Sequence, residues 1–218
     1  MLLVIGNKNY SSWSLRAWLM LYKSEVKFEE NLIQLDTPEF YTEIKKFSPA
    51  QKVPTLVDGD LTVWDSLAIC EYINDSYMSG TAWPEDTAQK AKARSLASEM
   101  HSGFMALRNE MPMNIRARRR INLSQEAEAD IARIDQIWSE QFRQFGSNGG
   151  WLFGRWSIAD IMYAPVALRF KTYGIELSRE AQAYQEHVMG CEATKKWIED
   201  ALKDEDIVNK DEAGTKVL

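Results

Sequence analysis

Apolar residues run unbroken from Met1 to Ile5, as in a short strand covered on both faces. Beyond the polar stretch Gly6 to Tyr10 the period changes, and Leu15, Trp18, Leu19 and Tyr22 recur at helical spacing. Residues 26–35 read as a second strand, and Thr37 to Phe47 as a short helix with Pro38 in its first turn. Val53, Leu56 and Val57, then Leu61 and Val63, flank Asp58-Gly59-Asp60, which predicts strand, tight turn, strand. Asp65-Ser66 stand directly before Leu67-Ala68-Ile69, where a helix should open. From Ala88 onward the apolar spacing is three to four, predicting helices over 88–118, 124–145, 157–171, 178–187 and 191–202 and no strand. Residues 203–218 are polar and charged and are expected to fray. The pattern divides the chain into an α/β domain over 1–78, a linker over 79–88 with Pro84, and an all-α domain over 89–218.

At 218 residues there is room for one large domain or two small ones, each with a core. A net charge of −6 argues against nucleic acid as the main partner, because phosphate binding needs a basic field. Cys70 and Cys191 make no disulfide framework and no metal-ligand spacing, so the expectation is two reduced thiols in a cytoplasmic protein and no metal. The opening apolar run ends at Gly6, so neither a signal peptide nor a membrane-spanning segment is expected.

The hairpin is the first candidate for chemistry. Pro54 cannot donate a ladder hydrogen bond and belongs at a strand start or an edge, which leaves the amide and carbonyl of Val53 available to another extended backbone. The helix start at Asp65-Ser66 offers free N–H groups and a positive dipole end to a carboxylate. Together they suit a small extended peptide with an acidic end.

Val53-Pro54-Thr55-Leu56, with Asp65-Ser66 and the helix Leu67-Ala68-Ile69-Cys70-Glu71-Tyr72-Ile73 behind it, resembles the glutathione-binding half of the cytosolic glutathione transferases. The resemblance implies a thioredoxin-like N-terminal domain with a cis Val-Pro bond and an all-α C-terminal domain. It also implies glutathione as co-substrate, a small electrophile as the second substrate, and a homodimer. By the same resemblance Val53 pairs with the cysteinyl unit, Ser66 holds the γ-glutamyl carboxylate and Asp65 meets its amino group, with Gln51 or Lys52 toward the glycyl carboxylate.

Ser11-Ser12-Trp13-Ser14-Leu15-Arg16 stands between the first strand and first helix. Serines there are preferred helix caps. They also resemble the Ser-Ser-Cys-Ser-x-Arg motif of the zeta class, with Trp13 in place of the Cys. That resemblance implies a serine hydroxyl that favours the glutathione thiolate, with Ser11 as first choice, Ser12 as second and Ser14 as the plain cap. Trp13 is either a wall of the site or ordinary packing. The substitution argues against a maleylacetoacetate-type isomerase, which stays as an alternative beside a non-catalytic binding module.

Arg116-Ala117-Arg118-Arg119-Arg120 is either a solvated helix end or brings Arg116 to the electrophile, with Phe104, Met105, Met111 and Met113 as the apolar wall. His101 and His187 have no ligand-like neighbours and are expected to be ordinary surface or packed histidines. Ser157-Ile158-Ala159-Asp160 is a capping box that marks a helix start; after Trp151-Leu152-Phe153-Gly154 it resembles the motif that caps the buried helix of the transferases' second domain, which implies a folding task.

Overall fold

The computed structural model describes residues 1–217. Four strands form a mixed sheet in the order β2-β1-β3-β4: β1 (Leu2–Ile5), β2 (Glu29–Leu32), β3 (Thr55–Asp58) and β4 (Leu61–Trp64). β1 is central, parallel to β2 with Leu3 opposite Glu30, and antiparallel to β3 with Leu3 opposite Leu56. Its continuous apolar run follows from that position. Leu3 and Ile5 face the core shared with α1 (Ser12–Lys23) and α3 (Ser66–Tyr77), while Val4 faces Phe40 and Ile44 of α2 (Pro38–Ile44). β2 is shorter than the 26–35 the pattern suggests. It is an edge strand with a largely exposed surface, so little apolar burial extends it.

The helical domain is built from α4 (Thr87–Ser102), α5 (Met105–Glu110), α6 (Gln125–Phe145), α7 (Ile158–Tyr173), α8 (Arg179–Gly190) and α9 (Glu192–Ala201). α7 is apolar on all sides and buried along nearly its whole length, as a helix surrounded by others must be. Trp138 of α6 packs against Tyr163 and Phe170 of α7 and Tyr184 of α8. At the start of α7 the Asp160 carboxylate accepts from Ser157 N and Oγ (both 2.9 Å), Leu152 N (3.0 Å) and Tyr184 OH (3.1 Å). The box therefore also ties the preceding loop and α8 to the helix. No helix among the described residues is long and apolar enough to cross a membrane.

Three expectations are corrected. The helix over 88–118 is two helices, broken at Gly103 and at Phe104, which is left-handed at φ 59°. Arg108 folds back and donates to the carbonyls of Met100, His101 and Gly103, so a side chain satisfies the end of α4 that a continuing helix would have used. Pro112 then prevents α5 from continuing. Second, a short ladder does form beyond residue 88, between β5 (Arg119–Arg120) and β6 (Thr215–Lys216). The basic cluster is thus no helix end. Third, residues 203–217 are not frayed: Val208 is buried, and Asp204, Asp206 and Glu212 all hold hydrogen bonds to the body of the fold. Leu218 lies outside the described residues.

Candidate functional site

Ser11 is the N-cap of α1. Its Oγ accepts from Ser14 N (3.3 Å) and donates to Ser14 Oγ (2.7 Å), which also accepts from Gly6 N (3.1 Å). The plain cap is therefore Ser11 rather than Ser14, and its proton is occupied at the helix start. Ser12 is differently placed. Its Oγ accepts from Arg169 Nη2 of α7 at 3.2 Å, and no acceptor among the described residues takes its own proton. Both serines are buried.

Trp13 reaches a cavity of about 480 Å³ that it lines with Ala50, Lys52, Val53, Pro54, Trp64, Asp65 and Ser66. Two guanidiniums lie over the indole, Arg16 at 4.6 Å and Arg108 at 4.9 Å from the ring centre, with the His101 ring edge-on at 5.4 Å. Trp13 thus lines this cavity and also packs against these side chains. Ser11 and Ser12 are not part of the cavity wall; they lie just before Trp13 in the chain.

On the opposite side Val53-Pro54 is a cis peptide. Asp65 caps α3: its Oδ1 accepts from Leu67 N (2.9 Å) and Ala68 N (3.2 Å), and its Oδ2 faces His101 Nε2 at 3.1 Å. Asp65 achieves this at φ 74°, ψ 132°, a backbone region that costs a non-glycine residue of order 1–3 kcal/mol. Ser66 is 1% exposed, lines the cavity, and its Oγ has no hydrogen-bond partner among the described residues.

Near Trp13 and Ser12 lie three guanidiniums that make no hydrogen bond to a carboxylate among the described residues. Arg16 is wholly buried and donates through Nε and Nη2 to Met162 O (3.2 and 3.0 Å); Arg108 caps α4; Arg169 holds Ser12. Arg16 Nη1, Arg108 Nη1 and Arg169 Nε and Nη1 are buried without acceptors among the described residues. Burial, and then the neighbouring guanidiniums, hold Arg16 well below its ordinary value, and burial followed by Arg108 brings Arg169 down to about 10. Their combined field favours an anion beside Trp13 and Ser12.

The remaining expected residues are scattered. Gln51 is exposed at φ 53° and is not on the cavity wall, whereas Lys52 is. Phe104 is buried at the turn into α5, and Met105 is exposed. Met111 and Met113 follow α5 into the core instead of preceding Arg116 on one helix. Arg116 donates to Tyr10 OH (3.0 Å) and Asp206 O (2.6 Å), on a different groove from the cavity. His101, Arg108 and Arg169 carried no local signal in the sequence: a lone His and two helical Arg look like surface residues until tertiary packing brings them to Trp13. His187 packs edge-on against Trp151 at 4.4 Å, as expected of a structural histidine.

A mixed four-stranded sheet carrying a cavity at the starts of α1 and α3 is joined to a helical region built around the buried α7. The family descriptions "Glutathione S-transferase, N-terminal domain" and "Glutathione S-transferase, C-terminal domain" match residues 10–76 and 116–200. The chain belongs to the glutathione S-transferase family.

A probable maleylacetoacetate isomerase of Caenorhabditis elegans is 32% identical over 99 residues, 45% of this chain and 46% of that relative, so the match spans less than half of its length. Among solved structures, a zeta-class bacterial maleyl pyruvate isomerase superposes with TM-score 0.72 at 18% identity, covering 95% of this chain and 100% of the other. A glutathione transferase homolog from Burkholderia with bound glutathione gives 0.69 at 21%, covering 93% and 98%. At these identities the two structures establish the fold.

Proposed function

We propose that this chain binds glutathione in the cavity between Trp13 and Ser66 and conjugates its thiolate to a small electrophile. The observation that carries the reading is Ser66 Oγ, a buried hydroxyl without a partner that opens on a cavity at the start of α3. A buried unsatisfied hydroxyl is costly, and a carboxylate at the helix N-terminus satisfies it. The residues fit the tripeptide in other respects. Lys52 supplies a cation on the wall, Val53 backbone groups beside the cavity outside the β3 ladder, and Asp65 Oδ2 an acceptor now shared with His101.

A free thiol with its usual pKa of about 8.5 is mostly protonated at neutral pH, while the thiolate is the nucleophile. Two features of the chain favour the anion: a serine proton near the start of α1 and the field of Arg16, Arg108 and Arg169. Ser12 is the better placed hydroxyl, because its proton is free and Arg169 polarises its oxygen, whereas Ser11 is committed to Ser14. The unpartnered donors of Arg108 and Arg169 also suit an electrophile that bears an acidic group, the role first considered for Arg116. Assembly as a homodimer belongs to the same reading.

Isomerisation is the second reading, because curated relatives include maleylacetoacetate isomerases and the guanidiniums suit acidic substrates. Trp13 in place of the zeta-class cysteine favours conjugation. Titration calorimetry with glutathione, followed by conjugation and isomerisation assays on a panel of neutral and acidic electrophiles, tests both. A wild type without millimolar affinity for glutathione ends the proposal.

A further inference from the structure

Ser11 and Ser12 follow a buried loop, residues 6–10, in which Asn7, Lys8 and Asn9 are polar and need partners. The N-terminal domain holds part of it, through Glu30 at 2.7 Å from Lys8 Nζ and Leu35 N donating to Asn7 Oδ1 at 2.8 Å, and the far end of the chain supplies further contacts. Asn7 Nδ2 donates to Asp206 Oδ2 at 3.0 Å, and Asn7 O in turn accepts from Tyr10 N (3.1 Å) and Ser11 N (2.9 Å). Lys8 O accepts from Trp197 Nε1 at 2.9 Å, and Lys8 Nζ meets Asp200 at 3.0 Å. Tyr10, the residue before Ser11, is buried and donates from its OH to Glu212 Oε1 at 2.6 Å.

Glu212 is the hub of this arrangement. Its Oε1 also accepts from Asn114 Nδ2 at 2.8 Å, and its Oε2 pairs with Arg119. Asn114 Oδ1 then accepts from Asn9 Nδ2 at 3.0 Å, while Arg116 joins Tyr10 OH to Asp206 O. Val208 is buried between the two acidic positions, and Gly214 turns the chain into the β5–β6 ladder. Asp211, between Val208 and Glu212, adds a negative charge that acts on Arg169, the partner of Ser12. By contrast, no hydrogen bond among the described residues joins residues 204–212 to Val53 or Ser66.

We propose that residues 204–212 are a positioning strap for the serine loop, with Glu212 as its principal positioning residue. The strap sets where the Ser11 and Ser12 hydroxyls point and leaves the tripeptide edge untouched. It therefore controls thiolate formation separately from glutathione binding. This inference rests on the glutathione reading above. It deepens that reading by assigning Tyr10, Asn114, Arg116 and Arg119 to the support of the site, where the basic cluster had no role.

The test compares wild type, Glu212→Ala, Glu212→Gln and Asp206→Asn, each in the full chain. Amide hydrogen exchange of residues 7–12 reads the loop without any ligand. Calorimetry reads glutathione affinity, and the ultraviolet absorbance of the thiolate reads ionisation of the bound thiol. Displacing a reacting group by about 1 Å costs up to about 100-fold, so a partial displacement here is expected to lower turnover about ten-fold. In Glu212→Ala the loop amides should exchange at least about ten-fold faster while glutathione affinity stays within about two-fold. Thiol ionisation should shift to higher pH. Glu212→Gln, which keeps one acceptor oxygen, should recover part of the effect, and Asp206→Asn should show a smaller loss.

Unchanged exchange in residues 7–12 overturns the strap. So does an equal loss of affinity, ionisation and thermal stability, which marks a general brace. If the wild type binds no glutathione, the functional reading falls, and the exchange comparison alone then decides whether the strap orders the loop.

Discussion

Replacing Ser66 by alanine should push stability and binding in opposite directions. The Ser66 hydroxyl is buried at 1% exposure with no partner among the described residues, at the first turn of α3. A buried polar group left unsatisfied costs about 1–3 kcal/mol. Removing it should therefore stabilise the free protein by about 1–2 kcal/mol, or about 3–6 °C in Tm for a chain of this size. In the proposed glutathione complex the same hydroxyl would donate to a carboxylate, a charge-assisted bond worth about 1.5–3 kcal/mol, so the variant should bind about 10- to 150-fold more weakly. Scanning calorimetry of the free proteins and titration calorimetry with glutathione measure the two effects. A destabilised free variant, or one whose affinity matches wild type, refutes the assignment of Ser66 as a carboxylate donor.

Three further outcomes are expected. Asp160 is pushed up to about 6 from its ordinary 3.8 by burial, against the pull of its hydrogen bonds. A raised folded value means its contribution is full below 3.8 and is lost as pH rises through about 6, a change of about 3 kcal/mol. Denaturation of wild type and Asp160→Asn across that window should show the wild-type advantage shrinking with pH; a constant difference contradicts it. Arg169→Met should raise the ionisation midpoint of bound glutathione and slow turnover of acidic electrophiles without lowering stability, since a buried unpaired cation gives way to an apolar side chain; an unchanged thiol titration counts against the guanidinium field. Gly214→Ala should detach β6, because Gly214 sits at φ 77° and an added Cβ would lie 2.4 Å from Arg120 O. Faster amide exchange at Val217, whose N–H donates to Arg118 O, reports that loss.

The period of the apolar residues was enough to read the sheet, the hairpin and most of the helices. Those signals are local: β1 is apolar on both sides because it is central, and α7 is apolar all round because it is enclosed. The helix break at Gly103 and Phe104 was harder to read. Its stabilising contact is the return of Arg108, which no spacing rule reveals. The edge position of β2 likewise leaves no burial pattern from which to count its length.

For the site, the residues that act through backbone geometry were legible, since Pro54 and the Asp65-Ser66 helix start announce themselves within a few positions. The charges were not. Arg108 and Arg169 lie on different helices, and His101 on a third; folding alone brings them around Trp13 and Ser12. The basic cluster at Arg116–Arg120 invited a substrate role from its charge, yet tertiary contact gave Arg116 to Tyr10 and Asp206. Sequence by itself determined which segments fold and where the hairpin turns and α3 opens, because caps, turns and apolar periods depend on neighbours in the chain. Only the tertiary structure decided which cations meet which hydroxyl, because electrostatic fields and buried hydrogen bonds depend on distance in space.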